Sequence, residues 1–229
     1  MENRELNILS IDFDFFQIVD TETIYECYPD GLDLPTKLTE ITWAGHYRQP
    51  VDRDRLFNVK ANENLIQEVQ ELAIENARNS RIPFILANSH KHIYKFIKQE
   101  LARCKYKSVN IYNLDMHHDY TNRGSKVDCG NWLGHAVKDF PDCTATWVMN
   151  SISLKLADES EIKTLHKVKT LRCLKDVKFD MIYLCRSDSW TPPHLDNHFT
   201  ELAYNLGYEF SNCFGDSDVL QPRNLRVYM

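Results

Sequence analysis

The chain is poor in the residues that interrupt regular structure, with 7 glycines and 8 prolines among 229 residues. This scarcity excludes a collagen-like or low-complexity chain and argues against long disordered tracts. No apolar run approaches the roughly 20 residues that a membrane-spanning helix needs. The first five residues, Met1 to Glu5, are polar and lack the apolar region of a signal peptide. We therefore expect no membrane partner and a cytoplasmic location.

The number of cysteines and the net charge exclude further classes of protein. Seven cysteines are present, an odd number without a Cys-x-x-Cys pair, which predicts reduced thiols rather than a disulfide framework. The formal net charge is −6, so the clustered basic residues of a nucleic-acid interface are not expected. An acidic chain suits a cationic substrate or bound cations. The length and the 43% hydrophobic content are sufficient for a single domain over residues 1–229.

Short apolar runs alternate with amphipathic helical patterns along the chain. The predicted strands are 7–11, 82–87, 108–114, 144–150 and 179–185, and the predicted helices are 64–79, 91–104, 131–140 and 194–206. We expect Gly207 to end the last helix. Residues 27–62 combine three prolines and two glycines with mixed charge, which predicts a long irregular excursion and a possible wall of the site. The alternation predicts an α/β domain with a mainly parallel sheet covered on both faces.

The ends of three predicted strands carry carboxylates and imidazoles. Ligands of open α/β sheets bind outside the carboxyl ends of the strands. Alternate residues of an extended segment point the same way, so the acidic and histidine positions of each motif should face one site. Oxygen-rich ligands with some imidazole suit Mn²⁺ or Mg²⁺, and four carboxylates would balance two divalent cations. The predicted metal ligands are Asp12, Asp14, His90, Asp115, His117 and Asp119.

These motifs carry a resemblance to a known family. The segment Asp115-Met116-His117-His118-Asp119 resembles the Asp-x-His-x-Asp motif of arginases, agmatinases and related ureohydrolases. Ser89-His90 is similar to the family's metal-binding histidine, which also follows a strand and precedes a helix. Ser10-Ile11-Asp12-Phe13-Asp14 resembles the family's Asp-x-Asp segment, although arginases place that pair late in the chain. A circular rearrangement of the sheet would explain the different order.

A second segment resembles the part of arginases that contacts substrate. Cys129-Gly130-Asn131-Trp132-Leu133-Gly134 is similar to their Ser-Gly-Asn-Leu-His-Gly sequence. Asn131 matches the substrate-binding asparagine, whereas Leu133 stands where the family has a histidine. His135 and His118 are the candidates to take over proton transfer.

A small arginase-like family is closer still. It has an N-terminal Asp-x-Asp-Phe-Phe and a late Arg-Ser-x-x-Trp-Thr-Pro, which residues 12–16 and 186–192 resemble. That family includes peptide arginases, which convert arginine to ornithine in ribosomally made, post-translationally modified peptides. The resemblance therefore implies a single-domain, three-layer arginase-like fold and an arginine-containing precursor peptide as partner.

The resemblance also implies a reaction and a set of roles. Two Mn²⁺ ions would activate water, with Fe²⁺ or another divalent cation as the second choice of metal. Hydrolysis of the guanidino group would convert peptidyl arginine to ornithine and release urea. Asp119 and His135 are the candidate catalytic residues. Asn131, Asp188 and Trp190 are the candidate substrate-binding residues: a carboxylate pairs with a planar guanidinium, and an indole stacks on it.

Other functions remain open at this stage. The same scaffold could serve an agmatinase-like or formimino-hydrolase acting on a free guanidino compound, or a deacetylase-like amide hydrolase. The histidine replaced by Leu133 also suits a non-catalytic metal-binding relative. A metallophosphatase shares the dense carboxylates, but the Asp-x-His-x-Asp spacing favours ureohydrolysis.

Overall fold

The structure is a computed structural model that describes residues 4–29, 34–121, 124–215 and 217–227. The strands in these ranges are β1 (Glu5–Asp12), β2 (Gln17–Ile18), β3 (Lys60–Ala61), β4 (Pro83–Ala87), β5 (Ser108–Asp115), β6 (Cys143–Met149), β7 (His166–Val168), β8 (Met181–Cys185) and β9 (Asn212–Gly215). The α-helices are α1 (Thr21–Cys27), α2 (Thr36–Arg48), α3 (Pro50–Asn58), α4 (Glu63–Asn76), α5 (His92–Arg103), α6 (Trp132–Asp139), α7 (Ser153–Leu156) and α8 (Asp196–Glu209).

Seven of the strands form one central sheet in the order β7-β6-β5-β1-β8-β4-β9. Every neighbouring pair in it is parallel. The first strand of the chain thus lies in the middle, between β5 and β8, while β2 and β3 form a small antiparallel pair elsewhere. The predicted α/β class with a mainly parallel sheet is confirmed.

Each face of the sheet is covered by helices, because side chains of successive strand residues point to opposite faces. On one face, Leu9 and Ile11 of β1 belong to the same buried cluster as Val69 of α4 and Phe199 of α8. On the other face, Leu6 and Ile8 pack in a cluster with residues of α5 and α6, including Ile93, Ile97, Trp132 and Ala136. The result is a three-layer arrangement of helices, sheet and helices.

A third buried cluster covers the carboxyl edge of the sheet. Trp43 and Tyr47 of α2, Leu56 of α3 and Ile24 of α1 pack there around Met116, which follows β5. The indole Nε1 of Trp43 donates a 2.8 Å hydrogen bond to the carbonyl of Asp188, after β8. The α1–α3 segment is therefore held against the strand ends where the predicted metal ligands lie.

The prediction of an irregular excursion over residues 27–62 was wrong for most of that segment, which forms α2 and α3. Pro35 is the N-cap of α2 and Pro50 is the first residue of α3, positions at which proline is compatible with a helix. Gly31 of the same segment lies outside the described residues.

Two further details differ from the predictions. Helix α8 continues through Gly207 to Glu209 instead of ending before that glycine. The weakly patterned residues 151–178 contain α7 and β7. Strand β9 was not predicted, because all four of its residues are exposed. Across the described ranges, none of the helices combines the length and the apolar character that crossing a bilayer requires.

Candidate metal centre and substrate pocket

The central strand brings the first carboxylate to the carboxyl edge of the sheet. Asp12 is the last residue of β1, and Asp115 is the last residue of the adjacent strand β5. The pairing of Ile11 with Leu114 places the two aspartates at the same level. Both are almost fully buried, at 3% and 0% exposure. The side chain of Asp12 also accepts a 3.2 Å hydrogen bond from the backbone N–H of Asp14, which caps the short 3₁₀ turn after β1.

His90, which follows β4, points its Nδ1 atom into the carboxylates. This nitrogen lies 3.1 Å from Asp12 Oδ2, 3.2 Å from Asp115 Oδ2 and 3.1 Å from Asp119 Oδ2. The other ring nitrogen, Nε2, is 2.6 Å from the hydroxyl of Ser10. If Nε2 carries the proton and donates it to Ser10, the Nδ1 lone pair points at the three carboxylates; metal-binding histidines are commonly oriented in this way by a hydrogen bond from the other ring nitrogen.

Packing fixes the plane of the His90 ring. It stacks on Tyr183 with an interplanar angle of 4° and lies 4.9 Å from the indole of Trp132. The hydroxyl of Tyr183 in turn donates a 2.6 Å hydrogen bond to the carbonyl of Ser89. The ring is therefore held on two sides by aromatic groups, which limits its rotation away from the carboxylates.

A second cluster shares Asp115 with the first. His117 Nδ1 lies 2.9 Å from Asp14 Oδ2 and 3.9 Å from Asp115 Oδ1. Asp14 is held in place by the backbone N–H of Met116, which donates a 3.1 Å hydrogen bond to its Oδ1. Asp115 is oriented by the side-chain amide of Asn113, which donates to Oδ2 at 3.0 Å.

Asp119 reaches the cluster through an unusual backbone conformation. Its φ of 48° lies in the left-handed region, which non-glycine residues adopt rarely and often at functional sites. The indole Nε1 of Trp132 donates a 2.6 Å hydrogen bond to Asp119 Oδ2. The prediction that Asp115, His117 and Asp119 share one extended segment was therefore wrong. Strand β5 ends at Asp115, and a turn held by the hydrogen bond from Trp132 of α6 brings Asp119 back to the site.

Burial and mutual repulsion perturb the acids of this centre. Burial and the charge of Asp12 raise the pKa of Asp14 to about 8, and burial and the charge of Asp119 raise that of Asp115 to about 7. Burial opposes protonation of His117, but its hydrogen bond to Asp14 and the surrounding carboxylates raise its pKa to about 9. The centre therefore concentrates more negative charge than its own histidines balance, and it favours bound cations.

The donor atoms fit two divalent cations that share a ligand. His90, Asp115 and Asp119 form one group of ligand atoms within 4.8 Å of one another, and Asp14, Asp115 and His117 form another. His90 Nδ1 has no hydrogen-bond partner among the described residues, although three carboxylate oxygens lie close to it. One ring nitrogen cannot direct a hydrogen bond at three oxygens, whereas one cation can bind all four atoms.

The structure adds residues that the sequence motifs did not single out. Cys185, the last residue of β8, pairs in register with Asp12 and forms a further group of potential ligands with Asp12 and His90. Burial and the nearby carboxylates raise the pKa of its thiol well above the ordinary value. Ser10 could have been found from the sequence, because it lies two residues before Asp12 on the same face of β1; the position of Cys185 depends on the pairing of β8 with β1.

A cavity of about 150 Å³ opens over the centre, and Asp12, His117 and Asp119 contribute to its lining. Trp190 forms part of its wall, with its ring 4.2 Å from that of His117. The predicted substrate-binding residue Trp190 therefore lies directly beside the candidate metal centre. Asp188 lies in an adjoining polar cavity, where Arg186 Nε donates a 2.6 Å hydrogen bond to its Oδ1.

The remaining predicted residues lie farther from the cavity. Asn131 is fully buried, and its amide donates to the Lys126 carbonyl and to Asp128 Oδ2, both at 3.0 Å, within its own loop. His135 is on α6, where its ring contacts Tyr94 in an edge-to-face arrangement. Neither residue lines the cavity, so their roles stay predictions. His118 does line it, with Nε2 3.5 Å from Glu161 Oε2.

Comparison with known proteins adds no relative to this picture. No protein-family model, no curated protein and no solved structure matches the chain. The ureohydrolase resemblance consequently rests on the motifs, and the chemistry of the site rests on its geometry.

Proposed function

We propose that the protein is a binuclear metal-dependent hydrolase that converts peptidyl arginine to ornithine and urea, with Mn²⁺ as the metal. The observation that carries this proposal is the overlap of two buried ligand groups through Asp115, directly beneath an open cavity. Oxygen-rich groups with one imidazole each suit Mn²⁺. His90, Asp115, Asp119 and Asp12 would hold one ion, and His117, Asp14, Asp115 and Asp12 the other.

The metals, when bound, would supply Lewis acidity and lower the pKa of water at the site. The protein would supply orientation and proton transfer. In the overall reaction, water adds to the guanidinium carbon, the bond from that carbon to the side-chain nitrogen breaks, and the nitrogen leaves as an amine. Asp119 lines the cavity beside the centre, so we propose that its carboxylate carries the proton from water to the leaving nitrogen.

The surroundings of the cavity favour a peptide over a free amino acid. An apolar groove of about 270 Å³ continues from it and shares His117, Leu156 and Trp190 with it. Tyr25, which is 67% exposed, and Tyr28 line the far part of this groove. A free arginine would not fill such an extension, whereas residues flanking an arginine in a peptide would bury apolar surface there.

Urea release tests this proposal directly. Mn²⁺-loaded protein is incubated with an arginine-containing peptide, with free arginine and with agmatine, and the same assays are run with Asp115→Ala. The matched control is Asp54→Ala, because the Asp54 side chain is 77% exposed and lies outside the centre. We expect urea from the peptide, a loss of at least about 10³-fold in Asp115→Ala, and no change in the control.

Other results would redirect the proposal. Urea chiefly from arginine or agmatine would keep the ureohydrolase reaction and remove the peptide substrate. No urea from any substrate, despite two bound metal ions per chain, would reject guanidino hydrolysis and favour amide hydrolysis or a non-catalytic metal-binding protein.

A further inference from the structure

A second, smaller cavity of about 70 Å³ adjoins the one above the metal centre. The two cavities share Cys129, Ser187 and Trp190 as wall residues. The smaller one extends from these residues toward Ser89, whose neighbour in the chain is the predicted metal ligand His90. A molecule bound over the metal centre could therefore place a second group in this polar cavity.

Two residues on the wall of the polar cavity each carry a buried oxygen atom that lacks a partner within the described part of the chain. Ser89 and Asp188 are 7% and 4% exposed, and both line the cavity. Within the described part of the chain, neither Ser89 Oγ nor Asp188 Oδ2 has a hydrogen-bond partner. Buried polar atoms are rarely left unpaired, because desolvation without a new hydrogen bond is costly. Two such atoms on residues that line the same cavity point to a ligand with hydrogen-bond donors as the missing partner.

The charges around the polar cavity argue against a simple cation as that ligand. Arg186 already pairs with the other oxygen of Asp188, at 2.6 Å, and is itself buried. Lys91 and His92, at the start of α5, also line the cavity. Acceptors and basic groups therefore lie side by side, an arrangement that suits a dipolar group carrying both an N–H donor and a carbonyl or carboxylate acceptor.

The backbone of the shared wall is strained. Ser187 has a φ of 54°, in the left-handed region, and lines both cavities. Strain of this kind persists where the surroundings require it, and it is concentrated at ligand-binding segments. The carbonyl of Ser187 accepts hydrogen bonds from the N–H groups of Trp190 and Thr191. The segment therefore forms a tight turn, which positions Asp188 and Trp190 on the cavity walls.

We propose that the polar cavity binds the main-chain nitrogen of the arginine residue whose guanidino group lies over the metal centre. This inference rests on the proposed function and deepens it, since it assigns recognition of the substrate backbone to Ser89 and Asp188. The donor is either the free ammonium of arginine or the amide N–H of a peptide, because the two share the hydrogen-bonding chemistry.

Ser89→Ala gives the clearest test, because this hydroxyl makes no hydrogen bond in the described protein that the substitution could remove. Urea release is measured with Nα-acetyl-arginine methylamide, with L-arginine and with butylguanidine, which has no main-chain group. We expect KM to rise about 3- to 10-fold for the substrate that carries the recognised donor, with kcat unchanged. Butylguanidine kinetics and the melting temperature should stay as in the wild type.

Two further variants control the result. Ser211→Ala removes a hydroxyl on the exposed surface that donates only to the Ser80 carbonyl, and it should leave all three substrates unaffected. Asp188→Asn keeps an oxygen for Arg186 but presents N–H groups in place of Oδ2, so it should raise KM more than Ser89→Ala does. An effect confined to the acetylated amide identifies a peptide donor, and one confined to L-arginine identifies the free ammonium.

The inference is overturned if Ser89→Ala changes the kinetics of butylguanidine equally or leaves every substrate unchanged. If the wild type releases no urea, the proposed function fails, and calorimetric titration of the same three compounds then decides the inference separately. Binding of either main-chain compound that weakens about 3- to 10-fold in Ser89→Ala supports the polar cavity as a backbone site. Equal binding by the two proteins rejects it.

Discussion

Asp14 offers a direct test of the charge imbalance at the candidate metal centre. Its carboxyl is fully buried, and burial together with Asp12 raises its pKa from the ordinary 3.8 to about 8. At pH 7 the group is ionised in the unfolded chain but holds a proton in the folded, metal-free protein. A carboxyl with a raised pKa stabilises the fold least at high pH. For Asp14, the difference between its pKa values in the unfolded and folded states lowers the free energy of unfolding by about 4 kcal/mol at pH 7.

We therefore expect Asp14→Asn to stabilise the metal-free protein at pH 7. The amide keeps an oxygen that can accept from the Met116 N–H, and its NH₂ group can donate to Nδ1 of His117. The wild-type carboxyl also shares a 2.9 Å hydrogen bond with His117 Nδ1, and an amide reproduces it only in part, so the net increase in unfolding free energy should be about 1–3 kcal/mol. For a domain of this size that raises the melting temperature by about 2–6 °C.

The matched control is another buried aspartate whose charge is already balanced. The side chain of Asp180 is 1% exposed and lies 2.6 Å from both Arg4 and Arg78. Asp180→Asn leaves these guanidinium groups without their carboxylate, and we expect it to lower the unfolding free energy by about 1–3 kcal/mol. The same chemical change should thus have opposite signs at the two positions.

Thermal unfolding followed by circular dichroism, first with a chelator and then with Mn²⁺, measures both effects. Mn²⁺ at about 100 times its dissociation constant should stabilise the wild type by about 2.7 kcal/mol for each bound ion, and Asp14→Asn by less. A metal-free Asp14→Asn that melts below the metal-free wild type would refute the reasoning, because the Asp14 carboxylate would then be compensated by its surroundings. An equal response of both proteins to Mn²⁺ would remove Asp14 from the ligand set.

Three more predictions follow from the geometry. The metal-free protein should lose stability as the pH rises from about 4 to 9, because the pKa of Asp115 is raised from 3.8 to about 7 and that of His117 from 6.5 to about 9, so the folded protein holds protons that the unfolded chain releases earlier; a flat series of urea midpoints would contradict this. Ser10→Ala should weaken Mn²⁺ binding about 10-fold in a metal titration, since the Ser10 hydroxyl lies 2.6 Å from Nε2 of the predicted ligand His90 and orients its ring; unchanged affinity would dismiss that role. Arg223→Lys should lower the unfolding free energy by about 2–4 kcal/mol in denaturant titrations, because it loses paired hydrogen bonds to a buried carboxylate.

The strands of the central sheet could be predicted because they are nearly continuous apolar runs bounded by polar residues. The predicted segment 108–114 became Ser108–Asp115, and 7–11 became Glu5–Asp12. Buried parallel strands leave this trace in the sequence, since both of their faces are covered. The exposed edge strand β9 leaves none, because solvent accepts almost any side chain there.

The two motifs of predicted metal ligands, Asp12 to Asp14 and Asp115 to Asp119, were expected to converge because alternate residues of a strand share a face. That reason holds only in part. Extended alternation explains Ser10 and Asp12, which share a face of β1. It does not explain Asp14, which lies in a 3₁₀ turn, or Asp119, which needs a left-handed backbone and a hydrogen bond from Trp132. Turn conformations of this kind depend on contacts from distant segments, and spacing within the motif does not encode them.

The order of the strands explains how two acidic segments that are far apart in the chain come to lie together. In sequence, the Asp-x-Asp segment precedes the Asp-x-His-x-Asp segment by about a hundred residues, yet β1 lies directly beside β5 in the sheet. A parallel sheet places the carboxyl ends of all its strands at one edge, so the ligand set depends on which strands are neighbours and not on when each is synthesised. A residue at the end of any neighbouring strand can therefore reach the site, whatever its position in the chain. Strand β8 lies beside β1, and its last residue, Cys185, lies at the same edge as Asp12. The order of the motifs along the chain is therefore a weak guide to which residues lie at this candidate centre. The pairing of β1 with β5 and β8 is the stronger guide.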